Sequence, residues 1–154
     1  MPNKWNTGIV LCCGLLLFHP AKAGAPENPD SASNDFRINK LDKFFESYQC
    51  PVRDLTPAFL KAADRYGLDW RLLPSIALIE SGGGKEYRRN NIFGWGNGDI
   101  RFRSVEAGID EVAERLAHSD YYRDKNLDAV LNTYNPVPGY VSRVKNVMAQ
   151  LGPE

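Results

Sequence analysis

A run of apolar residues ends in a carboxylate and three glycines: Ile76-Ala77-Leu78-Ile79-Glu80-Ser81-Gly82-Gly83-Gly84. Leu73, Ile76 and Ala77 precede Glu80 by seven, four and three positions, the spacing of one helical face. Glu80 thus continues an apolar stripe, where packing alone favours an aliphatic side chain. The glycines stop the helix, because glycine adopts the left-handed cap conformation without strain. That places Glu80 in the last turn, where free carbonyls concentrate negative potential. Burial and that potential both disfavour the charged form and predict a raised pKa. A carboxylic acid held protonated near neutral pH is what a general acid needs. The same pattern also fits a partly exposed Glu beside a glycine cap, paired with Lys85 or Arg88.

The residues that follow add an aromatic, turn-rich segment, Asn90-Asn91-Ile92-Phe93-Gly94-Trp95-Gly96-Asn97-Gly98. Asn97-Gly98 predicts a tight hairpin with Asp99-Ile100-Arg101-Phe102 as its returning strand. Small residues beside Phe93 and Trp95 let a ligand approach the backbone closely. An indole with amides nearby suits a sugar ring, which has apolar faces and a hydroxyl rim. The alternative is a structural hairpin with Phe93 and Trp95 in the core.

The rest of the pattern is helical. Residues 36–48 place Ile38, Leu41, Phe44, Phe45 and Tyr48 on one face. Thr56 is the expected cap of a second helix, with Pro57 at its first position and Gly67 at its end. Asp69 is the expected cap of the Glu80 helix, in which Pro74 is an oddity. Ser104 opens a helix with Val105, Ile109, Val112, Ala113 and Leu116 inward. A short helix follows over 126–134, then a rigid Asn135-Pro136-Val137-Pro138-Gly139 turn and a closing helix over 140–151. The expected class is mainly α with a small β-hairpin after the Glu80 helix.

Residues 1–23 read as a secretory signal peptide. Lys4 precedes an apolar run over 8–18, and Ala21-Lys22-Ala23 is a small-x-small cleavage site. Residues 24–35, rich in Pro, Ser, Asn and Gly, read as a flexible linker. Residues 36–152 read as one folded domain. Cleavage leaves 131 residues with 17 basic and 19 acidic side chains, a net charge of −2. No basic excess argues for nucleic-acid or anionic-membrane binding. Cys50 and His118 are the only thiol and imidazole that remain, so neither a disulfide, a histidine-rich metal site nor any cofactor is expected.

In their order, several of these pieces resemble the bacterial glucosaminidase family, the mannosyl-glycoprotein endo-β-N-acetylglucosaminidase-like domain. The resemblance covers about residues 50–151. It rests on Tyr66-Gly67-Leu68-Asp69 leading to Glu80-Ser81, on Asn91-Ile92-Phe93-Gly94-Trp95, on Phe102-Arg103-Ser104 and on Tyr134-Asn135-Pro136 with Tyr140. Soluble lytic transglycosylases share the Glu-Ser pair and the late tyrosine. The resemblance implies a lysozyme-like fold and an exported, periplasmic or extracellular enzyme that cleaves peptidoglycan or a related N-acetylglucosamine-containing glycan. It implies Glu80 as general acid, with Tyr134 and Tyr140 lining the cleft floor and Tyr134 counted among the catalytic residues. Ser81, Asn91, Phe93, Trp95 and Tyr140 are then the substrate-binding candidates.

Glycosidases of the ordinary kind need two carboxylates. Asp99 is the candidate for the second, and Glu106 suits a helix start for structural reasons. A second carboxylate is dispensable if the substrate's N-acetyl group or a neighbouring hydroxyl attacks the anomeric carbon. Three alternatives stay open: cleavage of the lytic transglycosylase or muramidase type by the same Glu80, a non-catalytic glycan-binding domain, and a Cys-His peptidase using Cys50 and His118.

Overall fold

The computed structural model describes residues 35–153. The leader over 1–23 and the linker up to residue 34 lie outside the described residues. Six α-helices follow in order: α1 (Phe36–Ser47), α2 (Thr56–Tyr66), α3 (Leu72–Ser81), α4 (Val105–His118), α5 (Leu127–Tyr134) and α6 (Tyr140–Gln150). A 3₁₀ turn over Pro51–Leu55 links α1 to α2. The mainly α class is as expected. Asp35, assigned to the linker from sequence, instead caps α1 by accepting the Arg37 N–H at 2.9 Å.

Leu41, Phe45, Phe59, Leu73, Ile76, Val112 and Val144 are fully buried in one core. They lie on the periodic faces of α1, α2, α3, α4 and α6, so the 3.6-residue pattern is what assembles that core. α2 packs mainly on α4, and α3 mainly on α6. The apolar α3 is therefore held from several sides, with Leu72 through Ala77 all buried. Its last turn emerges at the edge of this core.

Local starts and stops follow their chemistry, with two corrections. Ser104 and Asn126 cap α4 and α5 by accepting the Ala107 and Ala129 N–H groups. Thr56, expected as a cap, lies inside the first turn of α2, and its hydroxyl donates back to the Arg53 carbonyl at 2.9 Å. Asp69 does not cap α3 directly. It accepts the Arg71 N–H and clamps the Arg71 guanidinium, shaping the turn before the helix. Pro74 is the third residue of α3, where its missing N–H has no helical acceptor to lose.

The expected hairpin does not form. Among the described residues there is no strand, and the single β-bridge pairs Arg88 with Asn91. Gly94, Gly96, Asn97 and Gly98 all take left-handed backbone, with φ between 56° and 78°. Alternating residues of that kind curl the chain into successive tight turns, closed by Gly98 N–H to Gly94 O and Asp99 N–H to Gly96 O. Extended strands need negative φ throughout, so Asp99 to Phe102 has no partner ladder.

Candidate active site

Glu80 stands in the last turn of α3, half-buried. Gly82, in left-handed conformation at φ 61°, ends the helix, and the Gly82 and Gly83 N–H groups donate to the Leu78 and Ala77 carbonyls. Burial raises the Glu80 pKa above the ordinary carboxylate value; the Tyr140 hydroxyl and the Arg143 guanidinium act in the opposite direction and do not cancel it. Among the described residues Glu80 makes no ion pair. Neither Lys85 nor Arg88 reaches it, so the plain surface-pair account of this residue has no contact behind it.

The acid opens into a cleft of about 750 Å³. Its lining includes Gly94, Trp95, Tyr122, Tyr134 and Asn135. Loop and helix meet at Gly94, where an added Cβ would lie 3.0 Å from the Glu80 Oε2. Only a residue without a side chain lets the loop backbone come this near the carboxyl.

Aromatic rings form a continuous series, of which Trp95, Tyr122 and Tyr134 line the cleft, while Tyr140, expected to bind substrate, is buried and does not line it. Tyr140 stacks parallel to Tyr134 at 6.0 Å between centroids, Tyr134 meets Trp95 at 5.5 Å, and Trp95 meets Tyr122 at 5.9 Å. Tyr134 donates its hydroxyl to the Phe93 carbonyl at 2.5 Å, tying α5 to the loop. Burial pushes the Tyr134 and Tyr140 phenols upward, so both are neutral across the physiological range. Tyr140 is 1% exposed. Its hydroxyl interacts with Glu80 without closing a formed hydrogen bond, and it is the one fully buried side-chain polar atom among the described residues left in that state.

The other residues expected at the site fall into two groups. Ser81, Asn91 and Phe93 are buried and build the site without lining it. Ser81 donates to the Ala77 carbonyl and accepts the Gly84 N–H, so its hydroxyl is spent on the helix end. Asn91 donates to the Trp95 and Ile100 carbonyls and accepts the Trp95 N–H. It does the closing that a hairpin ladder was expected to do. Phe93 is fully buried and edges onto Phe59 in the core. Trp95 alone of the four lines the cleft. Asp99 does not line it; its side chain is 84% exposed and pairs with Arg89 at 3.2 Å. Glu106 lies exposed in the first turn of α4.

Cys50 is buried under Gly83, and burial pushes its thiol up, away from the reactive thiolate. His118 packs its ring edge on Tyr66, and no contact joins it to Cys50. No group of three or more His, Cys, Asp and Glu side chains among the described residues could hold a metal ion. The residues not anticipated from sequence are Tyr121, Tyr122 and Arg115 in the cleft and Arg143 near Glu80. Tyr121-Tyr122 had one legible signal, adjacent aromatics in the otherwise polar stretch from Ser119 to Asn126. Compared with protein-family models and with curated proteins, the chain matches none.

Proposed function

We propose that this chain is an exported glycosidase that cleaves peptidoglycan or a related N-acetylglucosamine-containing glycan, acting as an endo-β-N-acetylglucosaminidase of lysozyme-like type. The observation that carries the reading is the unpaired Glu80, its pKa raised by burial, at the wall of an aromatic cleft. Such an acid is protonated where an ordinary carboxylate is not, and Trp95 offers an apolar face to a sugar ring. Its position at the end of α3, framed by the loop and α5, is compatible with the resemblance noted in the sequence.

Among the described residues Glu80 is the single carboxylate in the cleft lining. A one-acid route therefore serves better than a paired-carboxylate one. Glu80 gives its proton to the glycosidic oxygen as the bond to the anomeric carbon breaks. The substrate's N-acetyl oxygen attacks that carbon and forms a cyclic oxazolinium ion. Glu80, now a carboxylate, takes a proton from the water that opens the ring, which restores the acid. The Tyr140 hydroxyl is placed to donate to the transient carboxylate, and Tyr134 holds the loop through Phe93. Asp99 has at most an auxiliary role.

The same lone carboxylate supports a second reading, lytic transglycosylation. There Glu80 first gives its proton to the glycosidic oxygen as that bond breaks. As a carboxylate it then takes the proton of the substrate's own 6-hydroxyl as this attacks the anomeric carbon, so that an anhydro end forms without water and the acid is restored. Digestion of purified peptidoglycan with mass analysis of the fragments separates these. New reducing N-acetylglucosamine ends support the first, anhydro-muramyl ends the second. Binding without soluble fragments would leave only a glycan-binding domain.

A further inference from the structure

Among the described residues, Glu80 is the one carboxylate and Arg115 the one cation in the cleft lining. Arg115 lies near the end of α4, half-exposed and paired with Glu111, while a second guanidinium, Arg143, acts on Glu80 without lining the cleft. Its Nε and one Nη2 hydrogen are directed at Glu111 Oε1, at 3.2 and 2.6 Å. A guanidinium has five N–H groups. Both Nη1 hydrogens and the second Nη2 hydrogen have no hydrogen-bond acceptor among the described residues. Those hydrogens form a planar fork of the width a carboxylate takes bidentately.

Tyr121 lines the same cleft and is 76% exposed, the largest value among the exposed apolar or aromatic side chains. Nothing in the core explains a ring left in water at this place. Tyr121 is joined through Tyr122 to the ring contacts that run by Trp95 and Tyr134 to Tyr140 at the acid. The cleft thus continues from the reacting group to an open ring and an uncommitted fork.

We propose that Arg115 and Tyr121 form a subsite that reads a carboxylate-bearing substituent on the glycan, so that the cleft prefers an acidic, substituted polymer over a neutral one. The inference rests on the reading that the cleft takes glycan. Tyr121 supplies a face for the sugar or its substituent, and Arg115 supplies the fork for its carboxylate. Long-range charge works against such a preference, because residues 24–154 carry a net −2. A preference for the acidic form must therefore arise from a local cation.

The test uses binding, so that it does not depend on turnover. Purified sacculi are prepared with free carboxyl groups, and a second portion has them converted to amides with carbodiimide and ammonia. Co-sedimentation is measured for the full chain carrying Glu80→Gln, then with Arg115→Gln or Arg115→Lys added. The Glu80→Gln chain is expected to bind the free-carboxyl form about tenfold tighter, the scale of a charge-assisted contact. Arg115→Gln should bring that ratio to about one, and Arg115→Lys, a point charge without the fork, should retain part of it. The ratio should also shrink as salt is raised. Equal binding of both forms by the Glu80→Gln chain, or an unchanged ratio in Arg115→Gln, overturns the subsite while leaving the glycan reading intact. Binding of neither form overturns both.

Discussion

Gly94 and Glu80 are packed so closely that a methyl group on Gly94 would lie 3.0 Å from the Glu80 Oε2. The φ of Gly94 is 61°, a conformation that also strains any residue with a Cβ. Gly94→Ala should therefore act twice. The protein should lose about 1–2 kcal/mol of stability from the backbone, and the acid should be displaced from its seat. The expected result is a folded protein with turnover reduced well beyond the change in substrate affinity. Unchanged kcat would mean that the loop does not set the position of the acid.

Burial of Glu80 has a consequence for stability. Its pKa is raised in the folded protein relative to the unfolded chain. The folded state is then favoured by the protonated form, and that advantage is complete only below the ordinary carboxylate pKa. As pH rises through the folded pKa, stability is lost relative to a neutral side chain. Glu80→Gln should melt at a higher temperature than the parent at pH 7.5, and the gap should narrow or vanish at pH 4. A gap that widens toward acid pH would show that Glu80 has a depressed pKa and is no general acid.

Asn91 should prove structural rather than substrate-binding. Its amide holds three backbone groups of the loop. Asn91→Ala should cost about 2–3 kcal/mol, from lost bonds and buried groups left unsatisfied. Trp95→Ala should behave the other way, weakening chitooligosaccharide binding more than it lowers the melting temperature. Paired measurements of binding and thermal unfolding on the two variants check the division. Equal profiles would mean that the loop and the wall cannot be separated.

Asp99→Asn should leave turnover nearly intact and the product ends unchanged. The side chain is exposed, and its contact with Arg89 is a surface pair worth at most about 1 kcal/mol. A variant as inactive as Glu80→Gln that still bound glycan would restore the two-carboxylate mechanism.

The helices were legible because burial imposes a 3.6-residue rhythm, and Leu73, Ile76 and Ala77 announce the face on which Glu80 lies. The caps were half legible. Ser104 caps as expected, but Asn126, read as the first residue of the short helix, instead caps it, and Thr56 and Asp69 were diverted to the Arg53 carbonyl and the Arg71 side chain. The hairpin failed because Asn97-Gly98 reports only a left-handed turn. Whether strands flank it depends on Gly94 and Gly96, which are left-handed as well. Of the residues singled out by motif order, Glu80, Trp95 and Tyr134 line the candidate cleft. Motif order did not reveal that Phe93 and Ser81 point into the core and the helix end. Arg115 and Tyr121 were hidden because they line the cleft from positions far along the chain from Glu80 and Trp95, a separation no local pattern spans.

Release of soluble fragments from purified peptidoglycan by Glu80→Gln beside the parent tests most directly whether Glu80 is the acid. Glutamine keeps the shape and cannot donate the acid proton. The parent should release fragments, and Glu80→Gln, still folded and still binding the polymer, should release them at least about a hundredfold more slowly. Near-normal release by Glu80→Gln would contradict the account and remove this residue from the mechanism.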